Sequence, residues 1–234
     1  MTQSFNLERV TFYGRSLSEY KQMFLLDFSD WVGKSILDCP GGPASFSREA
    51  RQMGIEVCAV DPQYVNNPDK LLEIGSQDIG YVISKIAQTS EQRKWDYYQN
   101  LEHLKNRQLE ILHSFIEDYR NHWQSQSYYI AASLPYLPFE DNTFELATSG
   151  HLLFSFQAHF PKTFTIDSLL ELARVAREVR VFPLRANEQD RSKPFAYFEE
   201  IRASLHQQGL TVEVKPSAFE FQVGANEVMI VKRI

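Results

Sequence analysis

A chain of 234 residues can bury a full core but is short for two independent domains. A hydrophobic share of 43% and a charged share of 23% exclude a disordered polymer, and a formal net charge of −6 repels nucleic-acid backbone unless a local basic patch forms. Two cysteines, Cys39 and Cys58, are too few for a disulfide framework or a zinc site.

The N-terminus lacks a basic-then-apolar leader pattern, and no run approaches the roughly 18 apolar residues of a membrane span. Cytoplasm is therefore the expected compartment, with neither a membrane nor a nucleic acid as partner. The densest basic stretch holds Arg174, Arg177, Arg180, Arg185, Arg191 and Lys193. Glu171, Glu178, Glu188 and Asp190 interleave with it, the pattern of a solvated helix face and loop.

In chain order, the first predicted helix covers about Leu17 to Phe28, with Ser16 or Ser18 as its N-cap. A short apolar strand follows from Ser35 to Asp38, then a Gly/Pro loop, a helix over about Ala44 to Met53, a stop at Gly54 and a strand from Ile55 to Val60. This is a βαβ unit, and its short apolar strands suit a parallel sheet covered on both faces.

A long helical region comes next. One or two helices are expected around Asp69 to Ala87. Thr89-Ser90-Glu91-Gln92 reads as a capping box for a long amphipathic helix carrying Trp95, Tyr98, Leu101, Leu104, Ile111, Phe115, Tyr119 and Trp123, with room for a kink at Gln108. Strands are then predicted at Ser127–Ala132, Phe144–Ser149 and Glu178–Leu184, and helices at Ser168–Arg177 and Lys193–Gln208, the last stopped by Gly209. Two closing strand-like runs, the second turning around Gly224-Ala225-Asn226, read as a hairpin. The expected fold is α/β: a Rossmann-like, seven-stranded, mostly parallel sheet with a C-terminal antiparallel hairpin and a helical insert, about 66–126, between strands two and three of one domain spanning 1–234.

Ligands of open parallel sheets bind beyond the carboxyl ends of the strands, where the strand order reverses. The loop there, Cys39-Pro40-Gly41-Gly42-Pro43-Ala44-Ser45, permits close backbone turns and opens a helix N-terminus. Asp61 ends the second strand, where a carboxylate can accept both hydroxyls of a ribose. The plainer reading makes the loop a tight turn and Asp61 a cap. A dinucleotide would call for G-x-G-x-x-G, which is absent.

ILDCPGGPASFS followed by VCAVDPQY resembles motifs I and II of the class I S-adenosylmethionine-dependent methyltransferases, and LPYLPFEDNTFELATSGHLLFSF resembles their later LPF-x-D-x-S-F-D segment. More narrowly, GRSLSEY, GPASF, VDP, LARVAREVRVFPL and FEFQVGANE resemble a group of uncharacterised bacterial methyltransferase-like proteins over nearly the whole length. The resemblance implies S-adenosylmethionine as cofactor, with Asp38, Pro40, Gly41 and Gly42 at its methionine end and Asp61 with Pro62 at the ribose. It also implies Ser133 and Leu134 at the adenine, and Ser149 to His151 opening toward the methyl group. The chain departs from the family pattern at Pro40 and Ala44, where glycines are usual, and at Ser133, where an aspartate is common.

His151 is the candidate base, beside the alternative of a structural histidine. Arg15, with Tyr13, can pair with the cofactor carboxylate or lie on a surface loop. Glu110-x-x-His113, continued by Glu117, has a metal-site spacing but lacks the second pair such sites need, so no metal is expected. The helix stripe is a packing face or a cap on an acceptor pocket whose other wall is Phe154, Phe156, His159 and Phe160; the stripe leaves a homodimer open. The expected activity is methyl transfer to a small-molecule acceptor. A non-catalytic protein of this fold, binding the cofactor or its demethylated product, is the alternative. A nicotinamide-dependent oxidoreductase is the third reading.

Overall fold

The computed structural model describes residues 5, 7–184 and 197–234. The parallel strands are β1 (Ser35–Asp38), β2 (Glu56–Val60), β3 (Tyr129–Ile130), β4 (Phe144–Gly150) and β5 (Ala176–Phe182); β6 (Leu210–Pro216) and β7 (Glu227–Arg233) close the sheet. Their order is β3-β2-β1-β4-β5-β7-β6. β7 runs antiparallel to both β5 and β6, with Glu213 opposite Ile230 and Val179 opposite Val231. The sheet is thus Rossmann-like with the antiparallel hairpin expected. Its order reverses between β1 and β4, which pair directly, Asp38 against Thr148.

Helices α1 (Leu17–Met23), α2 (Phe46–Gln52), α3 (Pro68–Ala87), α4 (Leu101–His122), α5 (Lys162–Val175) and α6 (Phe198–Gln207) complete the chain. β4 shows why both sheet faces must be covered. Leu146 packs with Tyr20, Phe24 and Phe46 from α1 and α2, while the next residue, Ala147, packs with Leu169 and Leu172 of α5 and Leu205 of α6. Successive side chains of a strand point to opposite faces, so both are fully buried. A third cluster, around Tyr64, Phe115, Tyr119 and Tyr129, joins the insert helices to the β2–β3 edge.

The first helix ends at Met23 rather than Phe28, because Leu25 takes a left-handed φ of 54° and a separate 3₁₀ turn spans Phe28–Trp31. Ser16 is its N-cap, with the Glu19 carboxylate accepting the Ser16 N–H at 2.8 Å.

The largest correction concerns the insert. Thr89–Gln92 begins no long helix but forms an isolated 3₁₀ turn, Ser90–Gln92. The chain then extends and pairs with the β6–β7 connection, the Lys94 N–H donating to Phe221 O at 2.8 Å and the Val223 N–H to Gln92 O at 3.1 Å. Trp95 and Tyr98 therefore precede the helix. α4 starts at Leu101, where the Asn100 side chain caps the His103 N–H at 2.8 Å, and it runs unbroken through Gln108 to His122. Asp69 to Ala87 lies within the single helix α3. Ser127–Ala132 shortens to the two residues of β3, α5 begins at Lys162, and β5 begins at Ala176. Helix α6 is seen from Phe198; its predicted start at Lys193 lies outside the described residues.

Within the basic stretch, Arg174 of α5 pairs with Glu171 and Asp141, but Arg177 and Arg180 lie on β5 rather than on a helix face: Arg177 is exposed beside Glu145, whereas Arg180 is largely buried against Glu178 and donates to the carbonyls of Phe24 and Leu25. Arg185, Glu188, Asp190, Arg191 and Lys193 fall outside the described residues. Cys39 and Cys58 are free thiols. No helix among the described residues is long and apolar enough to cross a membrane.

Candidate functional site

At the switch point, where loops from β1 and β4 must part, the protein carries a cleft of about 480 Å³. Its lining includes Arg15, Pro40, Gly41, Gly42, Asp61 and His151, so six of the sequence-derived candidates meet in one space. Asp38, Pro62, Ser133, Leu134 and Ser149 lie outside the described lining.

The glycine turn is shaped from both sides. Gly42 sits at a φ of 52°, in the left-handed region where glycine carries no steric penalty. A Cβ at Gly41 would come within 2.7 Å of the Tyr64 hydroxyl, which donates to Gly42 O at 2.6 Å. From above, a Cβ on Gly14 would meet Pro43 O at 2.1 Å, so the N-terminal segment rests directly on the turn.

Asp61 does two things the sequence held apart. Its Oδ1 accepts the Gln63 N–H at 2.8 Å, capping the 3₁₀ turn that Pro62 opens, and its Oδ2 accepts the Gly42 N–H at 3.1 Å. An ionised carboxylate offers about four lone-pair sites, so acceptor capacity remains toward the cleft. Burial pushes its carboxyl up to about 6, against the pull of the Gln63 and Gly42 N–H groups.

Asp38 is fully buried behind the cleft wall. Both of its oxygens lie 2.9 Å from the Tyr20 hydroxyl, and Thr148 Oγ1 donates to Oδ1 at 3.1 Å. Burial pushes this carboxyl up to about 8, opposed by those two hydroxyls and aided by the charge of Asp61. Tyr20 itself lines the cleft.

Arg15 lines the cleft with its guanidinium held 3.4 Å from Glu19 and 4.9 Å from the centre of the Tyr13 ring. Glu19 is fully buried and also accepts from Ser16 and from the Tyr98 hydroxyl. Arg15 therefore belongs to a built polar cluster rather than a surface loop.

His151 follows the end of β4 at a left-handed φ of 54°. Its N–H donates to Phe182 O at 2.7 Å, and its ring stands edge-on to Phe182 at 5.6 Å. A non-glycine residue in this region is held there by its surroundings, and such positions cluster at functional sites.

Leu134 is buried in the core with Leu37, Cys39 and Val60, and Ser133 pairs by its backbone with Tyr136. Ser149 is fully buried, one residue out of phase with Thr148, whose hydroxyl faces Asp38.

The opposite wall includes Phe154, Phe156 and His159, as expected; Phe160 instead stacks on Phe164 with ring centres 4.3 Å apart. From the insert come Val82 and Ile86 of α3 and Leu104 of α4. The rest of the α4 stripe, Ile111, Phe115 and Tyr119, is buried packing surface. Sequence reasoning missed Tyr20, Arg93, Phe219, Phe221 and Gln222, all in the lining. The FEFQVGANE run carried a signal at 219–222, but nothing local placed it here.

No protein-family profile matches the chain. An uncharacterized protein of the archaeon Methanocaldococcus jannaschii is 24% identical over 229 residues, spanning 97% of this chain and 98% of that one; this relative is archaeal, where the resemblance pointed to a bacterial group. Among solved structures, the chain is similar to a Burkholderia thailandensis 1,6-didemethyltoxoflavin-N1-methyltransferase bound to its substrate and S-adenosylhomocysteine: TM-score 0.48, 12% identity, 89% of this chain and 75% of that one. A SAM-dependent methyltransferase from Aquifex aeolicus gives a TM-score of 0.44 at 15% identity over 92% and 93% of the two chains. The magnesium protoporphyrin IX methyltransferase of Synechocystis, with bound SAM, gives 0.45 at 12% identity over 88% and 73%.

Proposed function

We propose that this chain is an S-adenosylmethionine-dependent methyltransferase acting on a small molecule, folded as one domain whose insert helps to wall the acceptor space. The observation that carries the proposal is the meeting of the Gly41–Gly42 turn, Asp61 and His151 in one cleft at the reversal of strand order. Asp61 has the position and the spare lone pairs to accept two ribose hydroxyls, each charge-assisted bond contributing about 1.5–3 kcal/mol. Arg15 is placed to meet a carboxylate at the other end, already oriented by Glu19.

The cofactor, when bound, supplies an electrophilic methyl group on a sulfonium. What remains for the protein is to align the acceptor, exclude water and take up a proton where the acceptor carries one. Phe154 and Phe156 give the wall its apolar character, and His151, fixed by its backbone at the mouth of β4, is the group to receive the proton.

One observation favours a second reading, a non-catalytic protein that binds the cofactor or its demethylated product. The protein's own Tyr64 hydroxyl and Asp61 carboxylate already engage the carbonyl and N–H of Gly42. Calorimetric titration with S-adenosylmethionine, S-adenosylhomocysteine and NAD, repeated on Asp61→Ala, decides first whether the cleft binds an adenosyl ligand. Micromolar binding of the first two, lost in the variant, supports the site. Absence of binding by folded protein overturns both readings, and preference for NAD restores the oxidoreductase.

A further inference from the structure

Among the described residues, the fold gives Asp38 no cationic partner. Its side chain is fully buried at the end of β1. Its partners are hydroxyls: Tyr20 from α1, 2.9 Å from both carboxyl oxygens, and Thr148 from β4, 3.1 Å from Oδ1. The charge acting on it is the like charge of Asp61. Arg15 is felt at Tyr20 but pairs with Glu19. A carboxylate so enclosed is costly, and hydroxyls offset less of that cost than a cation does. Burial accordingly pushes this carboxyl up to about 8, so the ligand-free protein keeps its proton at pH 7.

The phenols and thiols around Asp38 stay neutral. Tyr20, Cys39 and Tyr64 are pushed well above their ordinary ranges by burial first, with Asp38 among the charges that add to it. Burial pushes the Cys58 thiol up to about 12. Proton exchange at this centre therefore belongs to Asp38, and the Tyr20 phenol serves both of its states. A phenol carries one proton and also accepts. It accepts from the protonated carboxyl and donates to the carboxylate through the same 2.9 Å contacts. Tyr20 also lines the cleft, and Gly41, another lining residue, would bring a Cβ within 3.4 Å of Asp38 O. Asp38 thus lies one residue layer beneath the cleft surface, where a charge placed in the cleft acts on it through a medium of low dielectric.

We propose that Tyr20 and Asp38 form a proton switch beneath the cleft: a cationic ligand supplies the missing counter-charge, Asp38 releases its proton to solvent, and the Tyr20 O–H turns to donate to the carboxylate. The ligand class is an adenosine derivative bearing sulfonium or ammonium charge, and the choice of S-adenosylmethionine within it rests on the proposed transferase reading. Binding and proton release are linked, so affinity rises with pH until the free carboxyl ionises by itself.

The test titrates S-adenosylmethionine into wild type and Asp38→Asn, in phosphate and in Tris, whose different ionisation enthalpies let the heats count protons. At pH 7 wild type releases about 0.9 proton more than the variant. The ratio of wild-type to variant affinity rises about eightfold from pH 6.5 to pH 7.5. Ionisation of the ligand and of Asp61 is common to both proteins and cancels. A second readout needs no variant and stands even where Asp38→Asn does not fold. On wild type at pH 7, infrared difference spectra show a protonated-carboxyl band replaced by a carboxylate band when S-adenosylmethionine is added, while neutral adenosine leaves the band in place. Equal proton release by wild type and folded Asp38→Asn, a flat affinity ratio, or a band that S-adenosylmethionine leaves unchanged or adenosine removes overturns the switch. Cofactor binding without proton release removes the switch and keeps the transferase reading; absence of cofactor binding by folded protein removes both.

Discussion

Replacing Asp61 by asparagine reads the chemistry of the site through stability as well as binding. In the folded protein burial raises this carboxyl to about 6 from the 3.8 of a free side chain. At 1.36 kcal/mol for each pH unit, keeping it charged costs the native state about 3 kcal/mol. The sign follows from the proton count. Between pH 3.8 and about 6 the native state holds the proton that the unfolded state releases, so stability falls as pH rises. The cost is absent below the lower value and complete above the higher one. Asparagine cannot ionise, and it keeps only one acceptor oxygen for the Gly42 and Gln63 N–H groups, a loss of about 1–3 kcal/mol. Whatever that loss, the stability of Asp61→Asn relative to wild type should improve by about 2 kcal/mol between pH 4 and pH 7. Urea unfolding followed by circular dichroism across this range measures it, and parallel stability profiles would refute the reasoning. Cofactor affinity should move the other way. Wild-type binding strengthens as Asp61 loses its proton, and Asp61→Asn weakens it about a hundredfold or more through the two charge-assisted bonds.

Asp118 accepts from the Tyr129 hydroxyl at 2.5 Å and pairs with Arg51, both partners largely buried. Asp118→Ala leaves that guanidinium unpaired and should cost about 3–5 kcal/mol, lowering Tm by about 10 °C in a thermal melt. Gly14→Ala drives a Cβ against Pro43 O, a backbone atom that cannot rotate away; expect a loss of about 2 kcal/mol or more in urea unfolding, together with weaker cofactor binding. His151→Asn should lower turnover about 10²–10⁴-fold while leaving cofactor affinity by calorimetry unchanged; a parallel loss of affinity would assign His151 to binding.

Much of this was legible because parallel strands are short apolar runs ended by glycine, proline and acid. β1 was read to the residue, and Asp61 and the glycine turn were located by the same punctuation. The turn at 89–92 deceived because a capping box is a local pattern, whereas strip 93–94 is extended by the Lys94 N–H donating to Phe221 O and by the Val223 N–H donating to Gln92 O beside it, from more than a hundred residues away. Trp95, Tyr98, Leu101 and Leu104 recur at three-residue intervals across a boundary that only those bonds reveal. Arg93 was invisible for the same reason. Glu19 and Tyr20 looked like ordinary residues of a short helix. Their significance comes from Tyr98 and Asp38, which the fold brings from elsewhere.

The departures in the glycine turn also change meaning once the insert is in place. Pro40 offers no N–H and Ala44 carries a methyl group, yet the turn is held from the side by Tyr64, whose hydroxyl donates to Gly42 O. The Tyr64 ring packs against Phe115, Tyr119 and Tyr129, and the Tyr119 hydroxyl donates to Tyr64 O at 2.8 Å and to Asn66 O at 3.1 Å. Arg48 and Arg51 of α2 fasten the same helix α4 through Glu117 and Asp118. Glycines at positions 40 and 44 are therefore dispensable, because α4 supplies the restraint. The shape of the turn and the docking of the insert become one cooperative unit. Amide hydrogen exchange at Gly41 and Gly42 should then follow the exchange of α4 rather than that of α5, since the turn can open only when the aromatic cluster behind it separates.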